Sequence, residues 1–408
     1  MTEVWAQAAL WLGLALVATL ASIWLRVATA LSEIVVGTIA QLVIGALIGA
    51  AVLATDASWI KFLSGTGAIV LTFLAGAELD PQVFRVKWRE ACAIGLASFL
   101  LPFLVCAAAA HWLLGWSVMS SWLAGVAMST TSVAVVYAVM LEFGLNTTDY
   151  GKMVLAACFV TDLGTVVALG LIFAPFTLKT LVFLAVGVAV FFVLPWLTPR
   201  FFKRFGNRPS ELEAKFLLFF LFGMGALATW ADSEAVLPAY LIGMVLAGTV
   251  GKDHALVRRL RTLTFGLLTP FYFIRAGSFV SVAALLAAPG AFVLMLLFKV
   301  GAKFIGVWPI TRRFGAPHDE ALYTTLLMST GLTFGTISAL FGLSHRVIDT
   351  AQYSALVAAV IGSAVVPTLI ANAFFFPRHH LQPARRDAHG EATKVEADRS
   401  SETSEVLR

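Results

Sequence analysis

The sequence predicts an all-α, polytopic membrane protein on three observations: a surplus of apolar residues, their gathering into bilayer-length runs, and basic residues kept mostly between those runs. Of 408 residues, 60% are hydrophobic and only 12% are Asp, Glu, Lys or Arg. A water-soluble domain carries about 25% charged residues, so the excess apolar surface needs lipid as its solvent. Stretches such as 181–194 and 291–298 hold almost no side chain that gains from water. About 20 apolar residues in a helix cross a hydrocarbon core of about 30 Å.

The first run, about 4–25, has Glu3 before it and Arg26 after it. A signal peptide has the opposite flanks, so this run reads as a membrane helix. Twelve more follow, at about 31–54, 59–77, 88–113, 117–141, 150–174 and 177–198, then 212–231, 235–250, 262–281, 284–308, 319–341 and 350–376. Thirteen crossings put the termini on opposite faces. The formal charge of +5 is explained by topology and gives no reason to invoke nucleic acid. With the N-terminus outside, the outer loops hold only Lys61, Lys179 and Arg346, while Arg275, Lys299 and Lys303 lie inside spans. That leaves 22 of the 28 Lys and Arg for the inner loops and tail, as the positive-inside rule requires. The C-terminus is therefore expected in the cytoplasm of a multi-pass protein of the cell (inner) membrane. The polar tail 378–408, rich in Glu, Ser and Arg, cannot bury a core and is expected to be disordered. No soluble nucleotide-binding domain is expected after the membrane part, 1–377.

The fifth and twelfth spans share an interruption. Met128-Ser129-Thr130 opens it in one, continuing Thr131-Ser132, and Met328-Ser329-Thr330 opens it in the other, continuing Gly331-Leu332-Thr333. By the span count these helices run in opposite directions, so the repeat is inverted. Small residues in membrane helices often serve only close packing. Polar, Gly-bearing breaks at matching places in opposed helices are the pattern of discontinuous transporter helices, whose ends meet ions at the bilayer midplane.

Asp162 falls near the middle of the sixth span, where a carboxylate costs about 2.5–3.5 kcal/mol by insertion scales unless it is solvated, paired or protonated. One carboxylate that takes either a proton or a cation is the least machinery that exchange requires. Its structural alternative is a salt bridge or a helix–helix hydrogen bond. Lys303 and Lys299, one turn apart in the eleventh span, can each pair with Asp162 or reach for an interface; Lys303, nearer the centre, is the favoured partner. Arg275 is deep in the tenth span between Pro270 and Gly277, and reads first as a clamp in a bent helix. Glu78 ends the third span and reads first as an interfacial charge. Cys92, Cys106 and Cys158 lie in apolar runs without metal-ligand spacing and read as small buried hydrophobes. No cofactor or transition-metal site is indicated, and no nucleophile–base pair or metal cluster of an enzyme is visible.

At these residues the chain resembles the monovalent cation:proton antiporter superfamily, on the branch of the Kef-type and NapA-like exchangers. Glu33-Ile34-Val35-Val36-Gly37, followed by Gly45 and Gly49, resembles the early helix of that family, and Phe73 to Asp80 its third-helix ending. Ser129 to Ser132 resembles the unwound crossing, Thr161-Asp162 the paired ion-binding motif, and Lys303-Phe304-Ile305-Gly306 the segment with the embedded basic residue. The resemblance implies the sodium/proton antiporter fold, with about 13 transmembrane helices and two crossed discontinuous ones. It implies a core of helices (about 88–174 and 284–376) moving against a dimerisation panel (about 4–77 and 212–281), elevator-like, in a homodimer. It implies Asp162 as carrier of cation and proton, Thr161 as neighbouring oxygen ligand, Thr130, Thr131 and Ser132 near the crossing, and Lys303 as basic partner. Relatives with two adjacent acids are electrogenic; Thr161 stands at the first position here, so exchange of K+ or Na+ for H+ is expected to be electroneutral. The missing second charge mildly favours K+. The rival within this architecture is a sodium-coupled symporter of organic anions.

Overall fold

The computed structural model of the chain describes residues 2–25, 28–47, 50–77, 81–143, 145, 148–173, 177–206, 210–231, 233 and 235–377. Glu78 and the tail 378–408, both singled out above, lie outside these residues. Every regular element among the described residues is helical. The chain runs through α1 (Thr2–Leu25), α2 (Thr29–Leu47), a 3₁₀ turn at Ala50–Leu53, α3 (Ser58–Ala77) and α4 (Pro81–Trp112). It continues through α5 (Val118–Ser129), α6 (Val133–Glu142), α7 (Asp149–Phe173), α8 (Leu178–Phe205), α9 (Leu212–Trp230) and α10 (Val236–Leu246). Then come α11 (His254–Leu263), a π turn at Thr264–Leu268, α12 (Thr269–Ser278), α13 (Val282–Ala287) and α14 (Pro289–Arg313). The last three are α15 (His318–Met328), α16 (Thr333–Ser344) and α17 (Thr350–Phe374).

Among the described residues, nine helical stretches are long and apolar enough to cross a membrane. Large apolar side chains point outward over the whole body: Trp24 is 85% exposed, Leu178 77% and Phe374 76%. Water would not tolerate such a surface, and lipid does. The chain is thus a multi-pass membrane protein.

Several spans read as single runs are divided, each for a local reason. The run 117–141 is cut at residues 130–132, where Thr130 turns extended (φ −61°, ψ 151°). The run 284–308 is replaced by a short α13 and a separate α14 that starts at Pro289; proline has no N–H to give an earlier turn and suits a first helical position. Near Pro270 a π turn interrupts the regular α-helix and feeds α12, with Pro270 in its first turn.

Helix pairs close where side chains vanish. On α2 and α12, a Cβ on Gly37 would meet the Ile274 backbone and one on Gly277 the Ile34 backbone, so the two main chains touch. Helices in lipid associate by close packing and interhelical hydrogen bonds; both glycines make this contact possible, and Thr38 Oγ1 donates across it to Gly277 O at 2.9 Å. α3 packs on α10 and α12, while α4 lies along α5, α7 and α14. α8 packs on α9 and α10 with only Leu194 and Thr198 buried. Gly277→Ala is expected to separate α2 from α12 and destabilise the protein by about 1–3 kcal/mol, the usual cost of overpacking. Thermal unfolding of the purified protein in detergent, beside Gly13→Ala, whose Cβ would meet nothing, measures it.

Candidate ion-binding site

The two interruptions meet. Ser132 donates its N–H to Thr330 O at 3.0 Å, and the Thr131 hydroxyl donates to Met328 O at 2.8 Å. Each break satisfies part of the backbone that the other leaves open, which irregular chain in a membrane must achieve within the protein. Ser129, Thr130, Thr131, Ser132 and Thr330 are all buried. Their hydroxyls serve the helix ends: Thr130 donates to Ala127 O, Thr330 to Leu327 O, and Ser132 accepts from Val135 N as a cap for α6.

Lys303, from α14, enters the first break and is fully buried. Its Nζ donates to Ser98 Oγ at 2.7 Å, Ser129 O at 2.9 Å and Thr131 Oγ1 at 3.0 Å, with Thr130 O at 3.4 Å. An ammonium has three protons, and all three are used. Two of these acceptors are carbonyls at the C-terminal end of α5, where a cation is favoured by the helix dipole. Lys303 therefore acts as a clamp on the break. Among the described residues it makes no ion pair with Asp162 within 4 Å, so the expected Asp162–Lys303 pair is absent. Position in a span does not reveal which way a lysine turns, and here the helix end outbids the carboxylate.

Asp162 sits on α7, 1% exposed. The backbone N–H of Thr131 faces its carboxylate, while Oδ1 has no hydrogen-bond partner among the described residues. Lys299, one turn before Lys303, is also fully buried, and its Nζ too has no partner among the described residues. It lies against Gly331 in the second break: a Cβ there would collide with Lys299 Nζ and sit 2.7 Å from Thr130 Oγ1 and 3.4 Å from Ser363 Oγ. Glycine leaves the Lys299 Nζ in place there, where any Cβ would push it aside. The site thus holds one unpartnered Asp162 oxygen and one unpartnered lysine nitrogen in the same buried region.

Thr161 turns from the carboxylate toward α4. Its hydroxyl lies 3.1 Å from both Gly95 O and Ala157 O, and a Cβ on Gly95 would be 2.5 Å from Val160 Cβ. That contact draws α7 onto α4. Arg275 is engaged by other partners: at the end of α12 it donates Nε to Thr55 O at 2.8 Å, approaches Asp56 at 3.9 Å and stacks over Phe279 at 4.9 Å. It ties α12 to the turn before α3.

Three participants escaped the sequence reading. Ser98 bridges Lys303 and Thr131, Thr165 links Ser129 to Thr161 O, and Tyr240 donates to Phe159 O. Thr165 stands four residues after Thr161, a spacing that puts both on one helix face; Ser98 carries no such mark.

The fold is that of the sodium/proton antiporters: the structure of the sodium proton antiporter MjNhaP1 from Methanocaldococcus jannaschii at pH 8 superposes with a TM-score of 0.68. The superposition covers 91% of this chain and 96% of that one at 14% identity. The chain belongs to the sodium/hydrogen exchanger family, whose transmembrane model matches residues 13–376. It is 26% identical over 378 residues to cation/H(+) antiporter 17 of Arabidopsis thaliana, covering 85% of this chain and 46% of that protein. It is 27% identical over 341 residues to the glutathione-regulated potassium-efflux system protein KefC of Klebsiella pneumoniae, covering 78% and 53%. The chain thus spans about half the length of these relatives. The probable Na(+)/H(+) antiporter 3 of Methanocaldococcus jannaschii is 23% identical, with 77% of this chain and 84% of that protein covered.

The two lysines are expected to respond oppositely to removal of charge. Lys303→Met strands the acceptors of a charged donor, at about 1.5–3 kcal/mol for each hydrogen bond lost, and is expected to lower the unfolding temperature steeply. Lys299→Met replaces an unpaired buried ammonium by an apolar side chain of similar length and is expected to leave stability equal or higher. Thermal unfolding of both variants in one detergent checks the contrast.

Proposed function

We propose that the chain exchanges a monovalent cation, K+ or Na+, for H+ across the membrane, with Asp162 as the group that holds either ion in turn. The observation that carries this reading is Asp162 Oδ1, buried in α7 beside two joined helix breaks and without a hydrogen-bond partner among the described residues. A fold that spends Lys303 and every hydroxyl of the first break on helix ends, yet leaves this oxygen open, keeps it for something that comes and goes. A proton or a dehydrated cation answers that description, since each satisfies a carboxylate without adding bulk. The family match and the activities for which the relatives are named support the same reading.

Thr130, Thr131 and Ser132 would supply the surrounding backbone dipoles, with Thr161 holding α7 at its distance from α4. Lys303 would keep the break open and charged. Lys299 is the ammonium free to answer the Asp162 charge when no cation is present. Helices α4–α7 and α14–α17 would form a core that slides as a unit against the remaining helices, exposing Asp162 to each face alternately, in a homodimer of the cell membrane with the N-terminus outside. With one carboxylate exchanging one ion for one proton, the cycle moves no net charge. The missing second acid mildly favours K+, the less tightly hydrated ion.

Proton flux in proteoliposomes, followed with a pH-sensitive dye on adding K+ or Na+, is expected for the wild type and lost in Asp162→Asn. Silence with both ions across a range of pH would overturn the reading. The same flux is expected to be indifferent to an imposed membrane voltage; a current that follows voltage would sink electroneutrality while leaving exchange intact.

A further inference from the structure

We propose that the groove between α8, α9 and α10 is a binding site for one glycerophospholipid, its phosphate held at Lys179 and one acyl chain laid along α8. The groove has a volume of about 320 Å³ and is walled by Phe183, Gly187 and Phe191 of α8, Met224 of α9, and Pro238 and Ile242 of α10. Apart from glycine and proline, every residue lining it has an aliphatic, aromatic or thioether side chain. α8 itself is held loosely: Leu181 is 64% exposed, Leu184 60% and Phe192 70%.

The depth comes from one position. A Cβ on Gly187 would meet only Met224 Cε, at 3.7 Å, so the floor lies open where any large side chain would fill it. From Phe183 to Phe192, nine helical steps span about 13 Å at 1.5 Å per residue. That is most of the ~15 Å that one leaflet contributes to the hydrocarbon core.

The mouth of the groove carries the complementary charge. Lys179 is one turn before Phe183, and its ammonium lies 5.6 Å from the ring centre of Trp230, the last residue of α9. Tryptophan and lysine together mark the level at which hydrocarbon gives way to headgroups. Met224, on the groove wall, is six residues before Trp230 on the same helix. A phosphodiester at Lys179 therefore directs its acyl chain straight down the groove. An apolar surface alone would select no lipid, because lipid tails are as apolar as the lining; selection comes from one cation set at the head of a concave track.

Full-length protein in detergent, titrated with dioleoyl-phosphatidylglycerol and weighed by native mass spectrometry, tests the site. The wild type is expected to retain one lipid per chain. Lys179→Ala is expected to weaken retention about fivefold, the weight of one lysine against an anionic headgroup. Gly187→Phe is expected to abolish it, and Lys61→Ala, away from the groove, to change nothing. Lys179 is solvent-facing, so its loss leaves folding intact and keeps the test valid even where the Gly187 variant unfolds. Wild-type retention in Lys179→Ala would overturn the proposal. So would a folded Gly187→Phe that keeps its lipid, or one that keeps its lipid and loses chain–chain association, which would assign the groove to a second copy.

Discussion

Inside a bilayer no water is available to satisfy an interrupted helix, and this chain interrupts two helices in the same buried place. The structure depends on how those helix ends are satisfied. Lys303 gives its protons to Ser129 O at the C-terminal end of α5, to Thr131 Oγ1 in the break and to Ser98 Oγ of α4, Thr131 answers Met328 O, and Ser132 N–H answers Thr330 O. For Lys303 to arrive there, α14 must lie tightly against α4. Gly306, three residues on, permits it: a Cβ there would be 2.5 Å from Leu101 Cδ1 and 3.3 Å from Ala97 O. Ser98 is the α4 residue at that contact, small enough to let the lysine pass and polar enough to accept its proton. The Lys303-Phe304-Ile305-Gly306 segment is thus a charge and the space needed to deliver it.

Against this background the unsatisfied groups are informative. A buried polar atom without a partner costs about 1–3 kcal/mol, and a charged one more. The crossing region pairs hydroxyls and carbonyls closely, yet leaves Asp162 Oδ1 and Lys299 Nζ open among the described residues. On the proposed reading, a carboxylate locked to Lys303 would have had no oxygen left open for an ion.

Much of this was legible in the sequence, for reasons that differ by residue. The membrane class follows from charge fraction and run length, which lipid imposes on any chain. The breaks were visible because Met128-Ser129-Thr130 and Met328-Ser329-Thr330 repeat the same polar step in apolar surroundings. Asp162 stood out because a carboxylate at mid-span is expensive. The direction of Lys303 was not legible: its rival acceptors, Ser129 O and Asp162, come from different helices, and only packing decides between them. The placement of Arg275 was hidden for the same reason, since its partner Thr55 lies 220 residues away next to a turn in which Ala54 adopts φ 46°. Ser98 had no pattern to betray it, being one small polar residue among many. The α13–α14 division was written in Ala288-Pro289-Gly290, but composition smoothed over a run-length window hides a break of one residue.

The charge count at the crossing gives the two lysines unequal weight in any ion balance. One carboxyl group and two lysine amines are buried within Coulomb reach of each other. Lys303 has each of its protons fixed on an oxygen, so releasing one would leave an acceptor at the helix end unmet as well as a nitrogen bare. Lys299 has no such anchor, and its protons can leave without stranding any acceptor. On the proposed reading, exchange of one cation for one proton at Asp162 is electroneutral only while Lys299 keeps its charge throughout the cycle. A Lys299 that sheds a proton as the cation arrives adds a second proton to the count and makes transport sensitive to voltage. The absence of a second acid at Thr161 therefore sets the stoichiometry only together with Lys299, the residue whose space Gly331 preserves.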